Sequence, residues 1–477
     1  MKHRPALVAI DLGAESCRVS LLRWNGDQPR ITMVRRLANA PRQTESGLFW
    51  DLPAICREVD AALRECATLA RGGIDAIGVT GWAVDYVRLG RDGTPLGLPH
   101  CYRDPRNSVA MDAVHAMLPA ADLYATAGVQ IQPLNTIYQL YADKLSGAGI
   151  STPWVNLPEY ILHRLGAPRI AEYTNATHAG LIDPAARNWN DELFSALGLD
   201  RTAAPEIVSS GTVLGPLCED WRRLPAFAAT QLIAPACHDT ASAIAGIAAP
   251  DAEDWAYISS GTWSLAGMLL PASVRTAKAG ALGFTNLGAA GGGILFHRGL
   301  PGMWLLRQCL EAWAPQRAWN VTELIAAAER AAVPEGLLDL DDPALALPGN
   351  MPARINQQRR RMALAPLPEH SGAAPEFVCL IFHSLAARYS SVFRSVRTLT
   401  RRDPRRICIV GGGSRNEYLN RLTREATGLP VQRCSVESTT LGNFAIQWAR
   451  LDQSRDGVAT SSIAQRAAQL NDAAQEI

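Results

Sequence analysis

His238 and Asp239 stand directly in front of a run of small residues in PACHDTASAIAG, residues 235–246. Such a run begins a helix, and an aspartate just before a helix satisfies orphan N–H groups as a cap. The same carboxylate can take a proton from a substrate hydroxyl. The residues alone leave both roles open, and the two can coexist. His238 is open between a structural histidine and a ligand contact.

Three glycine-containing turns could serve an anionic ligand. In ALVAIDLGAESCRVSLLRW, an apolar run meets Asp11-Leu12-Gly13, a polar turn follows, and apolar character resumes, which predicts a hairpin. Outward-pointing amides in such a turn can hold phosphate, and Asp11 at the strand end can meet the water shell of a magnesium ion. An ordinary glycine hairpin is the alternative. Ser259-Ser260-Gly261-Thr262-Trp263-Ser264 offers hydroxyl donors without bulk between two predicted strands, although plain turns use the same residues. Gly411-Gly412-Gly413-Ser414-Arg415-Asn416 follows the strand-like ICIV and precedes a helical pattern, so backbone can approach a flat or charged group closely. It is not a dinucleotide fingerprint, because Arg433-Cys434-Ser435 stands where an acidic strand end is required.

A carboxylate between apolar neighbours needs partners, which singles out Asp85 in WAVDYV; a ligand's hydroxyls or backbone could supply them. Trp82 could wall an apolar ligand face or belong to the core. Arg103 and Asp104 in YRDPRN could face a ligand or pair with each other.

These residues need a scaffold, and 477 of them suggest two large units. Apolar residues make up 48% and charged residues 19%, a soluble globular balance. Net charge is +1, so no global field favours nucleic acid; the basic run at Arg359 to Arg361 reads as a solvated loop. The only lysines are Lys2, Lys144 and Lys278, none after GxxxxG, which excludes a P-loop. Ten scattered cysteines form neither a zinc pattern nor a disulfide framework. Neither a signal segment nor a membrane span is legible, so a cytoplasmic protein is expected.

Strand-turn-strand patterns at 74–89 and 255–270, helical patterns at 55–69 and 111–119, and strand-turn-helix at 405–428 predict an α/β protein. GIAAPDAED, residues 246–254, reads as the connection between units 1–247 and 248–477. Residues 339–370, rich in proline and arginine with weak periodicity, are expected to wrap the surface as a loop.

The order of these pieces resembles the FGGY family of sugar kinases: phosphate turn, candidate base, second phosphate turn, glycine-rich nucleotide turn. VAIDLGAESCRV, GWAVDYVRL, YRDPRN, NTIYQL, EYTNATHAGLID, CHDTASAIAG, YISSGTWSLAG, TNLGAAGG, MWLLRQCLE, IVGGGSRNEYLNRL and ESTTLGN carry the resemblance across nearly the whole chain. It implies a two-domain actin-like, ribonuclease-H-like fold with a central cleft, and a kinase using ATP and magnesium. L-rhamnulose is the first acceptor, phosphorylated at O1; L-fuculose, xylulose and ribulose are alternatives. A chaperone-like ATPase and a silent sugar sensor are more remote.

By this resemblance Asp239 is the catalytic base, and Trp82, Ala83, Asp85, Arg103, His238 and Thr240 border the sugar. Gly13, Ala14, Glu15, Ser16, Cys17 and Arg18 form the first phosphate loop, with Asp11 toward the metal. Gly261 and Thr262 form the second loop, and Gly299, Arg307, Gly411, Gly412 and Asn416 attend the nucleotide. The nearest branch of the family reads Ser-Ser-Gly-Arg where Glu15-Ser16-Cys17-Arg18 stands here, carries asparagine and glutamine at Gly299 and Arg307, and has glycine at Ala83 and glutamate at Leu287. Partners implied are a sugar and ATP, with neither nucleic acid nor membrane, for a monomer or homodimer.

Overall fold

Leu7–Leu12 (β1) is buried along its whole length, which places it at the centre of a sheet. It pairs antiparallel with Ser16–Asn25 (β2), which pairs with Gln28–Ala38 (β3). On its other side β1 runs parallel to Ala76–Gly81 (β4). Ile170–Glu172 (β5) lies outside this sheet, paired with Glu206–Val208. Thr212–Pro216 (β6) and Gln231–Ala234 (β7) complete the order β6-β7-β4-β1-β2-β3. The hairpin and strand-turn-strand patterns at 6–24 and 74–89 are present as read.

The computed structural model describes residues 4–249, 255–453 and 457–471. Two compact units emerge: Met1–Pro250 with Leu269–Phe296 and Glu437–Ile477, and Asp251–Met268 with His297–Val436. Compactness thus interleaves the units along the chain. Of the predicted connection at 246–254, residues 250–254 lie outside the described ones.

In the second unit Trp255–Ser260 (β8) takes the central place. It is antiparallel to Ser264–Leu270 (β9), beside which runs Ile294–Leu300 (β10), and parallel to Arg406–Val410 (β11), itself parallel to Val431–Arg433 (β12). Each sheet therefore repeats one topology, with a hairpin on one side of the first strand and parallel strands on the other.

Leu52–Leu69 (α1) begins where Asp51 accepts from the N–H of Ala54, and it buries a stripe from Leu52 through Ile55, Val59 and Leu63 to Cys66. Thr136–Leu145 (α2), Tyr173–Ala176 (α3) and Asp239–Ala245 (α4) also belong to the first unit, and Trp304–Trp313 (α5) to the second. The helix expected at 111–119 runs instead from Arg106 to His115, followed by another from Ala120 to Ala127.

Residues 339–370 are corrected more sharply. Met351–Arg361 (α6) is a helix whose cap is Asn350. Arg359 is only 3% exposed, donating to the carbonyls of Ala365 and Glu335, each at 2.9 Å. The basic run is therefore not a solvated loop. Periodicity failed here because three buried positions of the helix, Asn356, Gln358 and Arg359, are polar; Asn356 exchanges hydrogen bonds with Leu367 and folds the following segment back.

Ala374–Thr400 (α7), Glu417–Thr427 (α8) and Ser438–Leu451 (α9) complete the helices used below. α9 explains why the C-terminal segment joins the first unit. It is almost wholly buried, and Gln447 donates to the carbonyl of Val8 in β1 at 3.0 Å. A Cβ on Gly442 would sit 1.8 Å from the Ser242 carbonyl oxygen of α4, and one on Gly246 would sit 2.3 Å from that of Ser438. Helix backbones approach this closely only where side chains are missing.

Candidate active site

In the first unit, sheet register brings the predicted residues to one edge. Asp11 lies opposite Arg18 on β2 and Thr80 on β4, and Gly81 bridges to His238 ahead of α4. The carboxyl ends of parallel strands are where α/β sheets receive ligands. Gly13 opens the turn, its N–H donating to Ser16 at 3.2 Å. A Cβ there would lie 2.4 Å from that same oxygen. Asn39 braces the turn, its amide donating to Gly13 at 3.0 Å and its N–H to the carbonyl of Glu15 at 2.9 Å. Glu15 is exposed, Ala14 and Ser16 half-buried, and Cys17 buried with its thiol turned back to Gly13.

Arg18 bridges two carboxylates, Asp11 Oδ2 and Glu437 Oε2, each at 3.2 Å. Burial pushes Asp11 up to about 7; Arg18 opposes this while Asp239 and Glu437 add to it. Asp11 is thus a buried carboxylate, partly offset by Arg18, beside the Gly13 turn.

Asp239 is the first residue of α4, and the cap position belongs to His238. Asp239 still serves the orphan donors of that first turn, from inside the helix and not ahead of it: its Oδ1 accepts from the N–H of Thr240 at 2.5 Å and from the Thr240 hydroxyl at 3.2 Å. His238 Nε2 stands 3.2 Å from the same oxygen. The carboxyl sits deep among protein atoms, and burial raises it to about 6, against the Thr240 hydrogen bonds and Arg18. Its side chain still keeps 37% of its area toward solvent. The His238 ring packs on His178, centroids 4.0 Å apart.

The residues expected to border a sugar cluster around Asp85. It is fully buried, and the protein supplies its partners. Oδ2 accepts from Trp50 Nε1 at 2.6 Å, Trp82 Nε1 at 2.9 Å and the N–H of Tyr102 at 3.3 Å; Oδ1 accepts from Gln139 at 2.9 Å. Burial pushes its carboxyl up to about 6 against those donors. Trp50 and Trp82 pack at 4.4 Å. Next to them Ala83 is buried and Val84 has φ of 74°, a genuine outlier for a β-branched residue. Thr136 and Gln139 of α2 hold it through its carbonyl, at 2.8 and 3.2 Å. Strain of this kind persists where surroundings over-determine it, often at functional sites. Arg103 and Asp104 do not pair: Arg103 donates to the Tyr102 hydroxyl at 3.1 and 2.8 Å, and Asp104 accepts from the N–H groups of Leu48 and Arg106.

In the second unit two turns meet at the ends of β8 and β11. The carbonyls of Gly261 and Thr262 accept from the N–H groups of Met303 and Trp304, docking their turn on the start of α5. A Cβ on Gly411, whose φ is 84°, would lie 2.7 Å from the Ser260 carbonyl oxygen, and one on Gly413 2.0 Å from its hydroxyl. At Gly412 nothing lies within 4 Å, which leaves an open approach to backbone. Asn416 caps α8, accepting from Leu419. Gly299 lies in β10; Arg307, one turn into α5, lies over the Trp304 ring at 4.9 Å and 3.7 Å from Glu311.

Trp50, Asn39, Gln139 and Glu437 were missed. Tryptophan and asparagine carry no local signal for such roles. Gln139 and Glu437 did lie within quoted blocks, NTIYQL and ESTTLGN, but only tertiary contact shows what they hold.

Residues 6–246 match the N-terminal domain of the FGGY family of carbohydrate kinases, and residues 256–450 its C-terminal domain. The rhamnulokinase of Bacteroides thetaiotaomicron is 33% identical over 453 residues, covering 94% of this chain and 91% of that protein. That of Enterobacter sp. (strain 638) is 34% identical over 455 residues, covering 94% and 89%. The structure of a ligand-bound xylulose kinase from Lactobacillus acidophilus has a TM-score of 0.77 at 16% identity, covering 97% and 92%, and so shares the two-domain actin-like α/β fold. With both halves matched in order, the chain belongs to the FGGY family of carbohydrate kinases and is a carbohydrate kinase.

Proposed function

We propose that this kinase transfers the γ-phosphoryl group of ATP to a small ketose, with L-rhamnulose as acceptor and O1 as the atom phosphorylated. The acceptor follows the two relatives above, both named rhamnulokinase. The chemistry rests on one observation: Asp239 keeps a partly open carboxylate on the same sheet edge as Asp11, Arg18 and the Gly13 turn.

Asp239 accepts the proton of the attacking hydroxyl. Phosphoryl transfer depends mostly on alignment and neutralisation of charge, so a carboxylate of modest basicity suffices. Trp82, Ala83, Arg103, His238 and Thr240 surround the acceptor. Asp85 holds the tryptophan wall and has room on Oδ1 for one more donor. Gly13 to Arg18, with Gly261 and Thr262, receive phosphate oxygens; Gly411, Gly412, Asn416, Gly299 and Arg307 attend the nucleoside.

Among the described residues no three His, Cys, Asp or Glu side chains cluster as a metal cage. A buried carboxylate beside a phosphate turn, paired with Arg18 at 3.2 Å, suits magnesium, which keeps water and phosphate as most of its ligands. Asp11 would hold it, and the ion would neutralise phosphate charge. Among the described residues no helix is long and apolar enough to cross a membrane, and a cytoplasmic setting fits the ten free cysteines.

The test is ADP release over L-rhamnulose, L-fuculose, xylulose and ribulose. L-rhamnulose should give the highest kcat/KM; another best sugar replaces the acceptor, and sugar-independent turnover supports an ATPase instead. Asp239→Asn should retain sugar binding and lose turnover by about 10²–10⁴-fold, the range for general base catalysis.

A further inference from the structure

Two residues ahead of the proposed base, the chain is held by side chains from a distant segment. The N–H of Cys237 donates to Glu172 Oε2 at 2.9 Å, and the N–H of His238 donates to Thr174 Oγ1 at 3.3 Å. Thr174 Oγ1 in turn donates to the same Glu172 oxygen at 2.5 Å, and its N–H donates there at 3.0 Å. Ser210 occupies the other oxygen, Oε1, at 2.6 Å. Glu172 ends β5 and caps α3; it is fully buried, as is Thr174. From the opposite side the carbonyl of Cys237 accepts from Gly81 at 2.9 Å.

Polar groups buried this completely are kept only when they are satisfied. A neutral helix cap would have secured α3 without a carboxylate reaching β7's continuation. The structure assigns Glu172 and Thr174 as a strut that fixes the Cys237–His238 backbone and so sets where the Asp239 carboxylate stands. They are positioning residues: both are fully buried and reach the residues before Asp239 through backbone N–H groups. The assignment rests on the reading of Asp239 as base.

Displacement of a reacting group by about 1 Å costs on the order of 10²-fold in rate. Thr174→Val keeps the shape of the side chain but removes the hydroxyl, leaving the His238 N–H without its acceptor. Its kcat should fall about 10–10²-fold, with KM for sugar and for ATP within about threefold of the wild type. Thr174→Ser, which restores the hydroxyl, should recover most of that loss. Glu172→Gln places an amide donor among N–H donors or against Ser210, and should fall likewise.

A double-mutant cycle separates positioning from general damage. In an Asp239→Asn background, Thr174→Val should cost less than about twofold, since the group it aligns is gone. An equal loss in both backgrounds overturns the strut, as does wild-type kcat in soluble, folded Thr174→Val. If Asp239→Asn itself keeps wild-type turnover, the base reading fails first, and the strut fails with it.

Discussion

Replacing Gly442 with alanine should both destabilise the protein and disable it, although the residue touches none of the proposed ligands. On propensity alone the change would favour α9 by up to about 1 kcal/mol. Packing opposes it: the added Cβ would stand 1.8 Å from the Ser242 carbonyl oxygen and 3.0 Å from the Gly246 nitrogen, against an ordinary contact of 3.4 Å or more. α9 and α4 must therefore part by about 1.6 Å, or one must unwind. Forced insertions of this kind cost roughly 1–3 kcal/mol and sometimes more, so the clash outweighs propensity. Near 2–4 °C per kcal/mol, Tm should fall by about 2–12 °C. Asp239 opens α4, so the same displacement should lower kcat by on the order of 10²-fold. Gly246→Ala, with its nearest contact at 2.3 Å, should show the same two effects in weaker form. Calorimetry and coupled ADP release measure both. A Gly442→Ala protein within 1 °C of the wild type and with kcat within about twofold would refute the close-helix argument.

At Gly412 the opposite is expected, because nothing lies within 4 Å of the added Cβ: Gly412→Ala should leave Tm unchanged while raising KM for ATP about tenfold, and an unchanged KM removes the nucleotide from this turn. Arg359→Ala strands two carbonyls that the guanidinium now satisfies and should cost about 2–3 kcal/mol in urea denaturation, whereas Arg360→Ala, on a side chain 59% exposed, should cost under about 0.5 kcal/mol; equal effects contradict the buried position. Because burial raises Asp239 to about 6 and a base works unprotonated, kcat/KM for sugar should be level above that pH and fall roughly tenfold per unit below it. A profile flat to pH 4.5 would refute the assignment. Asp11, raised to about 7, titrates beside it, so inflections at low magnesium belong to the pair.

How much of this was legible follows the range of each interaction. The hairpin of β1 and β2, the helical pattern of α1 and the glycine turns at 13, 261 and 411 depend on neighbours in sequence, and their composition announces them. The role of Asp85 was half legible: a carboxylate amid apolar residues demanded partners, but Trp50, Tyr102 and Gln139 arrive from three separate segments. The sequence could name the need and not the suppliers.

Local pattern and the order of motifs were therefore enough to specify the β1–β2 hairpin, the strand-turn-strand patterns, the family resemblance and the candidate base. Tertiary structure alone decided that residues 437–477 join the first unit, since the decisive contact is an absence of side chains at Gly442 and Gly246 on helices far apart in sequence. It decided too that Arg359 is interior, that Arg18 spans Asp11 and Glu437, and that Glu172 reaches the backbone before Asp239. Hydrophobic periodicity records which face of an element is buried. A buried polar group is specified instead by the few donors and acceptors around it, and these are chosen by the fold.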